Sequence, residues 1–158
     1  MGWWGFNSDQ NDNTYNEIGI SIPDRIFGTP IPEDLTSKMN QRLADLHKGL
    51  QADPNLLDRD PIYVMAAFVG ICRLLLSHGM RIDLPHLEAA IGYARILMED
   101  KEHIQCFTEP DTRLKALQDE IAGFEDAIAN SGTSDFFGKS ETLVGIMESA
   151  MEEDDDQA

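Results

Sequence analysis

The sequence predicts a mainly α protein: a compact bundle of about five helices, with an irregular N-terminal segment and an acidic C-terminal tail. Three observations carry this expectation. Apolar residues recur every three or four positions over most of the chain. Proline and glycine fall where those periodic stretches begin and end. Only Ile18 to Ile22 alternates, and weakly, enough for one short strand. A length of 158 residues fits one domain, and a chain of that size buries roughly 70% of its unfolded surface. The expected division is a single helical domain over residues 1–151, of which 1–31 are irregular, and a tail over 152–158.

In the first 32 residues, Gly2, Gly5, Gly19 and Gly28 with Pro23, Pro30 and Pro32 interrupt any long helix. The polar run Asn7 to Asn13 reads as a loop. Trp3, Trp4 and Phe6 beside it are large apolar groups, of the kind that folds back onto a core or anchors a partner.

The first helix is expected over about 32–51. Pro32 suits its first turn, and Glu33 and Asp34 suit the positive end of its dipole. Leu35, Met39, Leu43, Leu46 and Leu50 form its apolar face. Lys38, Arg42, Asp45 and Lys48 lie opposite. A second helix over about 61–78 starts from Asp60 as cap and Pro61 as first residue. It is apolar on nearly every side, which places it at the centre of the domain. Gly79 is positioned to end it in a left-handed conformation.

Asp83-Leu84-Pro85 opens a third helix, ending near Asp100, with Leu87, Ala90, Ile91, Ala94, Leu97 and Met98 inward. Residues 101–107 make a short turn or helix. Glu109-Pro110-Asp111 opens a fourth long helix, to about Asn130, whose seam is Leu114, Leu117, Ile121, Phe124 and Ile128. After the break Ser131-Gly132-Thr133-Ser134, a last helix fits about 140–151, and the acidic run beyond it is expected to be disordered.

Charge limits the partners. Twenty-nine acids oppose twelve bases, for a net −17. The run Glu152 to Asp156 holds five of those acids, and without them the rest still carries −12. Direct binding to nucleic acid needs clustered Lys and Arg, and an anionic membrane attracts the same residues, so neither is expected. A protein with a basic surface is the expected partner, because opposite fields speed encounter. The competing reading is that the acidity only keeps the chain soluble. The acid-rich last third carries the candidate partner-binding residues: Asp119, Glu120, Glu125, Asp126, Glu141 and Glu148, joined by Trp3 and Trp4 as apolar anchors.

Searches for chemistry give no catalytic residue, no metal ligand and no cofactor site. Asp9, Asn11 and Asn13 start like a calcium loop. The required glycine and final carboxylate are replaced by Thr14 and Ile20. His47, His78, His86 and His103 form no i, i+4 pair. His78, His86, His103 and Cys106 remain as the set a metal or an enzyme would use. Ser77 and His78 are neighbours in sequence and so do not face one another on a helix. There is no nucleophile elbow and no phosphate-binding glycine loop. Cys72 lies in the apolar helix as a small hydrophobe. The opening residues lack the basic and apolar runs of a signal peptide, and Phe6 stands where a myristoylation motif has Ser or Thr. The longest apolar stretch, Ile62 to Leu76, is short for a bilayer and contains Arg73. A cytoplasmic protein is expected, its oligomeric state open.

The opening Met1-Gly2-Trp3-Trp4-Gly5 and the polar run Asp9 to Asn13 resemble a family of short bacterial and phage proteins without an established activity. Those begin Met-Gly-x-Trp with Gly or Ser next, then a polar segment. The apolar helix Tyr63 to Leu76 and the helix start Ile82-Asp83-Leu84-Pro85 extend the likeness over roughly two thirds of the chain. Tyr15 to Ile31 depart from it as an insertion. The resemblance implies an accessory protein of a phage or a bacterial conflict locus and assigns no site residue. Together with the charge, it makes the leading expectation a non-catalytic inhibitor or immunity-type protein that covers a basic toxin or enzyme surface. The alternative is a nucleic-acid mimic that blocks a DNA- or RNA-binding enzyme.

Overall fold

A computed structural model describes residues 33–52, 60–77 and 79–137, with side chains from Thr36 onward. The protein is mainly α. Among the described residues it has five helices: α1 (Glu33–Ala52), α2 (Pro61–Ser77), α3 (Leu84–Glu99), α4 (Lys101–Gln105) and α5 (Pro110–Ala129). The strand expected at 18–22, the helix expected at 140–151 and the acidic tail lie outside the described residues.

Local chemistry explains the boundaries. The Asp60 carboxylate accepts the Ile62 N–H at 2.9 Å, satisfying a donor that no helical carbonyl can reach. Gly79, at φ +70°, ends α2: its N–H donates to Leu76 O and the Met80 N–H donates to Leu75 O, both at 3.0 Å. α5 ends by the same pair of bonds. Ser131 donates to Ile128 O at 3.3 Å and Gly132 to Ala127 O at 2.8 Å. Here the left-handed residue is Ser131, at φ 62°. The short α4 is nucleated by Asp100, whose side chain accepts the His103 N–H at 2.7 Å.

α2 is the central element, buried along most of its length. Leu43 of α1, Phe68, Ile71 and Leu74 of α2, Leu87 and Leu97 of α3, and Leu117 and Phe124 of α5 make one continuous apolar core. α3 packs mainly on α5 and α2, and α1 closes the bundle against α2 and α3. At 16–20 residues the four long helices draw their stability from this packing rather than from propensity alone.

The linker Arg81 to Asp83 is pinned from two sides. From α1, the Asn40 amide donates to Thr36 O and Arg81 O and accepts the Asp83 N–H, each at 2.9 Å. From beyond α5, Gly132 O accepts the Ile82 N–H at 2.9 Å. A Cβ on Gly132 would come within 2.5 Å of Ile82 O, so only glycine permits this approach.

Candidate functional site

α5 has two chemically opposite faces. Its outer face exposes Asp111, Lys115, Asp119, Glu125 and Asp126. Including Asp135 in the turn beyond, five carboxylates face solvent with one ammonium group, a surface charge of −4 over Pro110 to Phe137. These acids are not equivalent. Lys115 lies 3.4 Å from Asp119 one turn along. Asp126 accepts a 2.6 Å hydrogen bond from Ser134 Oγ, whose oxygen accepts the Phe136 N–H at 3.0 Å. Asp126 therefore also anchors the turn after the helix. Asp111 and Glu125 have no ion pair among the described residues. Where the helix ends, Asp126, Asn130, Thr133, Ser134 and Asp135 line an open polar recess of about 360 Å³.

Glu120 corrects the sequence expectation. It is not on the acidic outer face: its relative exposure is 0%. It falls in register with Leu117 and Phe124 and so turns inward with them. There its Oε1 accepts from Arg73 Nη1 of α2 at 3.3 Å, and Arg113 Nη1 lies 3.9 Å away. Arg113 is itself wholly buried. Its Nε and Nη2 point at His103 Nε2 at 3.3 and 3.1 Å. Arginine has no acceptor, so the ring nitrogen receives and the neutral imidazole carries its proton on Nδ1. Phe107 lies under the Arg113 guanidinium at 5.1 Å and Phe137 under that of Arg73 at 4.8 Å.

The electrostatics follow from this enclosure. Burial, then the adjacent Arg113 cation, lowers the His103 pKa to about 4. Burial lowers Arg113 to about 10 against the opposing pull of Glu120. Burial dominates at Cys72, which is pushed well above the usual thiol range with Glu120 adding to it. At neutral pH the His103 ring is therefore uncharged and the Cys72 thiol keeps its proton.

A second polar place lies between α1 and the α2–α3 linker, in a cleft of about 320 Å³. Thr36, Gln41, Arg81, Asp83 and His86 line it around the Asn40 amide. His86 Nε2 is 3.9 Å from Asp83 Oδ2, and its ring meets the Phe68 ring edge-on. Burial lowers the His86 pKa, with Asp83 opposing.

The remaining sequence candidates distribute as follows. Trp3, Trp4, Glu141 and Glu148 lie outside the described residues, as does His78. His86 belongs to the α1 cleft, whereas His103 and Cys106 belong to the α4–α5 corner, where the thiol donates to His103 O at 2.9 Å. Among the described residues no three His, Cys, Asp or Glu side chains gather as a metal site would require. None of the described helices is long and apolar enough to cross a membrane. The Arg73–Glu120–Arg113–His103 cluster went unread in the sequence. Its signal was present: Arg73 is the one charge in an otherwise apolar central helix, and such a charge requires a partner.

Comparison of the chain with protein-family models, with curated proteins and with solved structures finds no match.

Proposed function

We propose that the protein is a non-catalytic, cytoplasmic binding protein of the inhibitor or immunity type, which docks the outer face of α5 on a basic surface of another protein. The supporting observation is the one-sided charge of that helix. Asp111, Asp119, Glu125 and Asp126 stand on solvent-facing positions of a helix whose inner face is held to α2 and α4 by the Arg73–Glu120 and Arg113–His103 contacts. α1, by comparison, balances Glu33, Asp34 and Asp45 against Lys38, Arg42 and Lys48. The recess at the C-terminal end of α5 adds a place for a lysine or arginine side chain. There Asp126 and Asp135 combine with the negative end of the helix dipole. A preformed acidic face of this kind raises association rates with a basic partner and makes them fall with salt.

Mimicry of nucleic acid draws less support from the same face. From Asp111 to Asp126 the helix rises roughly 22 Å and presents four carboxylates and one ammonium group. A duplex carries one charge per about 1.7 Å.

The test is capture of proteins from the native host on immobilised full-length chain, at low and at high salt, beside the variant Asp111→Asn/Asp119→Asn/Glu125→Gln. A basic protein retained at low salt, released by high salt and lost on the variant is the expected result. Retention of no protein, or retention indifferent to the three substitutions, refutes the proposal.

A further inference from the structure

α3 keeps one stripe that the other described elements leave uncovered. Leu84, Glu88, Gly92, Arg95 and Glu99 recur along it at four- and three-residue intervals, with Ile96 at its border, all exposed. They span an arc of about 120°. Leu84 and Ile96 are 42% and 43% exposed, and the described residues hold only one other exposed large apolar side chain, Phe136. A Cβ built on Gly92 meets nothing within 4 Å. Glycine inside a helix costs about 1 kcal/mol relative to alanine, and no contact within the described chain makes use of its small size. Glu88, Arg95 and Glu99 form no ion pair among the described residues, although Arg95 and Glu99 stand one turn apart.

We propose that this stripe is a self-association face, on which α3 of a second copy packs antiparallel about a twofold axis passing beside Gly92. The order of charges selects both the occupant and the direction. An axis beside Gly92, midway between positions 88 and 95, sets Glu88 of each copy against Arg95 of the other, so one face supplies two ion pairs. A parallel pairing would set Arg95 on Arg95 and Glu88 on Glu88, which repel. A uniformly basic partner, as proposed for α5, would meet Arg95 at the middle of the stripe. Gly92 beside the axis on both copies lets the helices approach closely, and Leu84 and Ile96 cover the two ends of the contact with apolar surface. The whole-chain charge of −17 opposes association at long range. At about 0.15 M salt that repulsion is screened beyond roughly 8 Å, whereas the close Glu88–Arg95 contacts persist.

The test is sedimentation velocity of the full chain at about 0.15 M salt, over a concentration range that brackets the micromolar affinity of a small interface. The expected result is a concentration-dependent rise from 17.7 kDa towards twice that mass. Glu88→Arg and Arg95→Glu each abolish the rise, since each brings like charges together. An equimolar mixture of the two single variants restores it, because two guanidinium groups on one copy then face two carboxylates on the other. The double variant Glu88→Arg/Arg95→Glu dimerises as the parent does. All these positions are exposed, so the fold tolerates the changes and thermal unfolding is unaltered. A chain that stays monomeric throughout, a dimer indifferent to both single reversals, or a mixture that stays monomeric overturns the proposal.

Discussion

Asn40 on α1 and Glu120 on α5 are both polar side chains taken out of water, and their surroundings differ in kind. Asn40 is neutral, and three backbone groups occupy its amide at 2.9 Å each. Two of those groups belong to the α2–α3 linker, so the amide works as a latch between elements. Glu120 is a carboxylate at 0% exposure facing two guanidinium groups, one of which also leans on a histidine. The neutral contact depends on geometry alone. The ionic contact depends on geometry and on the protonation of every member. Neutral latches of this sort tolerate acid, whereas buried ionic clusters tie the fold to pH and punish the removal of half a pair.

The largest expected effect comes from breaking the ionic side unevenly. Glu120→Leu removes the carboxylate that Arg113 and Arg73 face, and a loss of about 3–5 kcal/mol is expected in urea unfolding. Arg113→Leu alone costs a similar amount. The double variant Arg113→Leu/Glu120→Leu loses less than the sum of the two, because no wholly buried charge is left without its partner. Full additivity would show that the two side chains do not act as a unit.

Acid is the next largest perturbation. The folded pKa of His103, about 4, lies below the unfolded value near 6.5. Between those values the unfolded chain binds a proton that the folded chain refuses, so stability rises with pH. The contribution is complete above about pH 6.5 and is lost as pH falls towards 4, by about 3 kcal/mol at most. His86 shifts in the same direction, so the comparison that isolates His103 is His103→Gln. This variant retains an acceptor for Arg113 and flattens the slope of stability between pH 6.5 and 5. A slope unchanged by His103→Gln removes His103 as the sensor.

Asn40→Ala tests the neutral side. It strands the Asp83 N–H and the Arg81 carbonyl, and a loss of about 1–3 kcal/mol is expected. The pH slope of this variant parallels that of the parent, in contrast to His103→Gln. A loss below about 0.5 kcal/mol, the scale of a neutral surface change, would show that water replaces the amide and that the latch is dispensable.

The smallest expected effect is a gain. Ser131 sits at φ 62° where helices prefer glycine. Ser131→Gly relieves a left-handed conformation worth about 1 kcal/mol, read as a small rise in the melting temperature. It leaves both polar contacts intact and so calibrates the other variants.

Helix positions were legible in the chain because their signals are local. Asp60-Pro61, Leu84-Pro85 and Glu109-Pro110 open helices and Gly79 closes one, and each acts through the few residues around it. Three-four spacing likewise showed which faces of α1, α3 and α5 turn inward, since burial of apolar surface dominates the choice. What the chain alone left undecided was the fate of the polar residues that share those inward faces. Glu120 lies in register with Leu117 and Phe124, and composition counted it among the solvated acids. Its burial is settled by Arg73, 47 positions earlier, and by Arg113, two turns back on the same helix. A buried charge is tolerated only where compensating charge arrives from elsewhere in the fold, and that meeting is a property of the packed bundle.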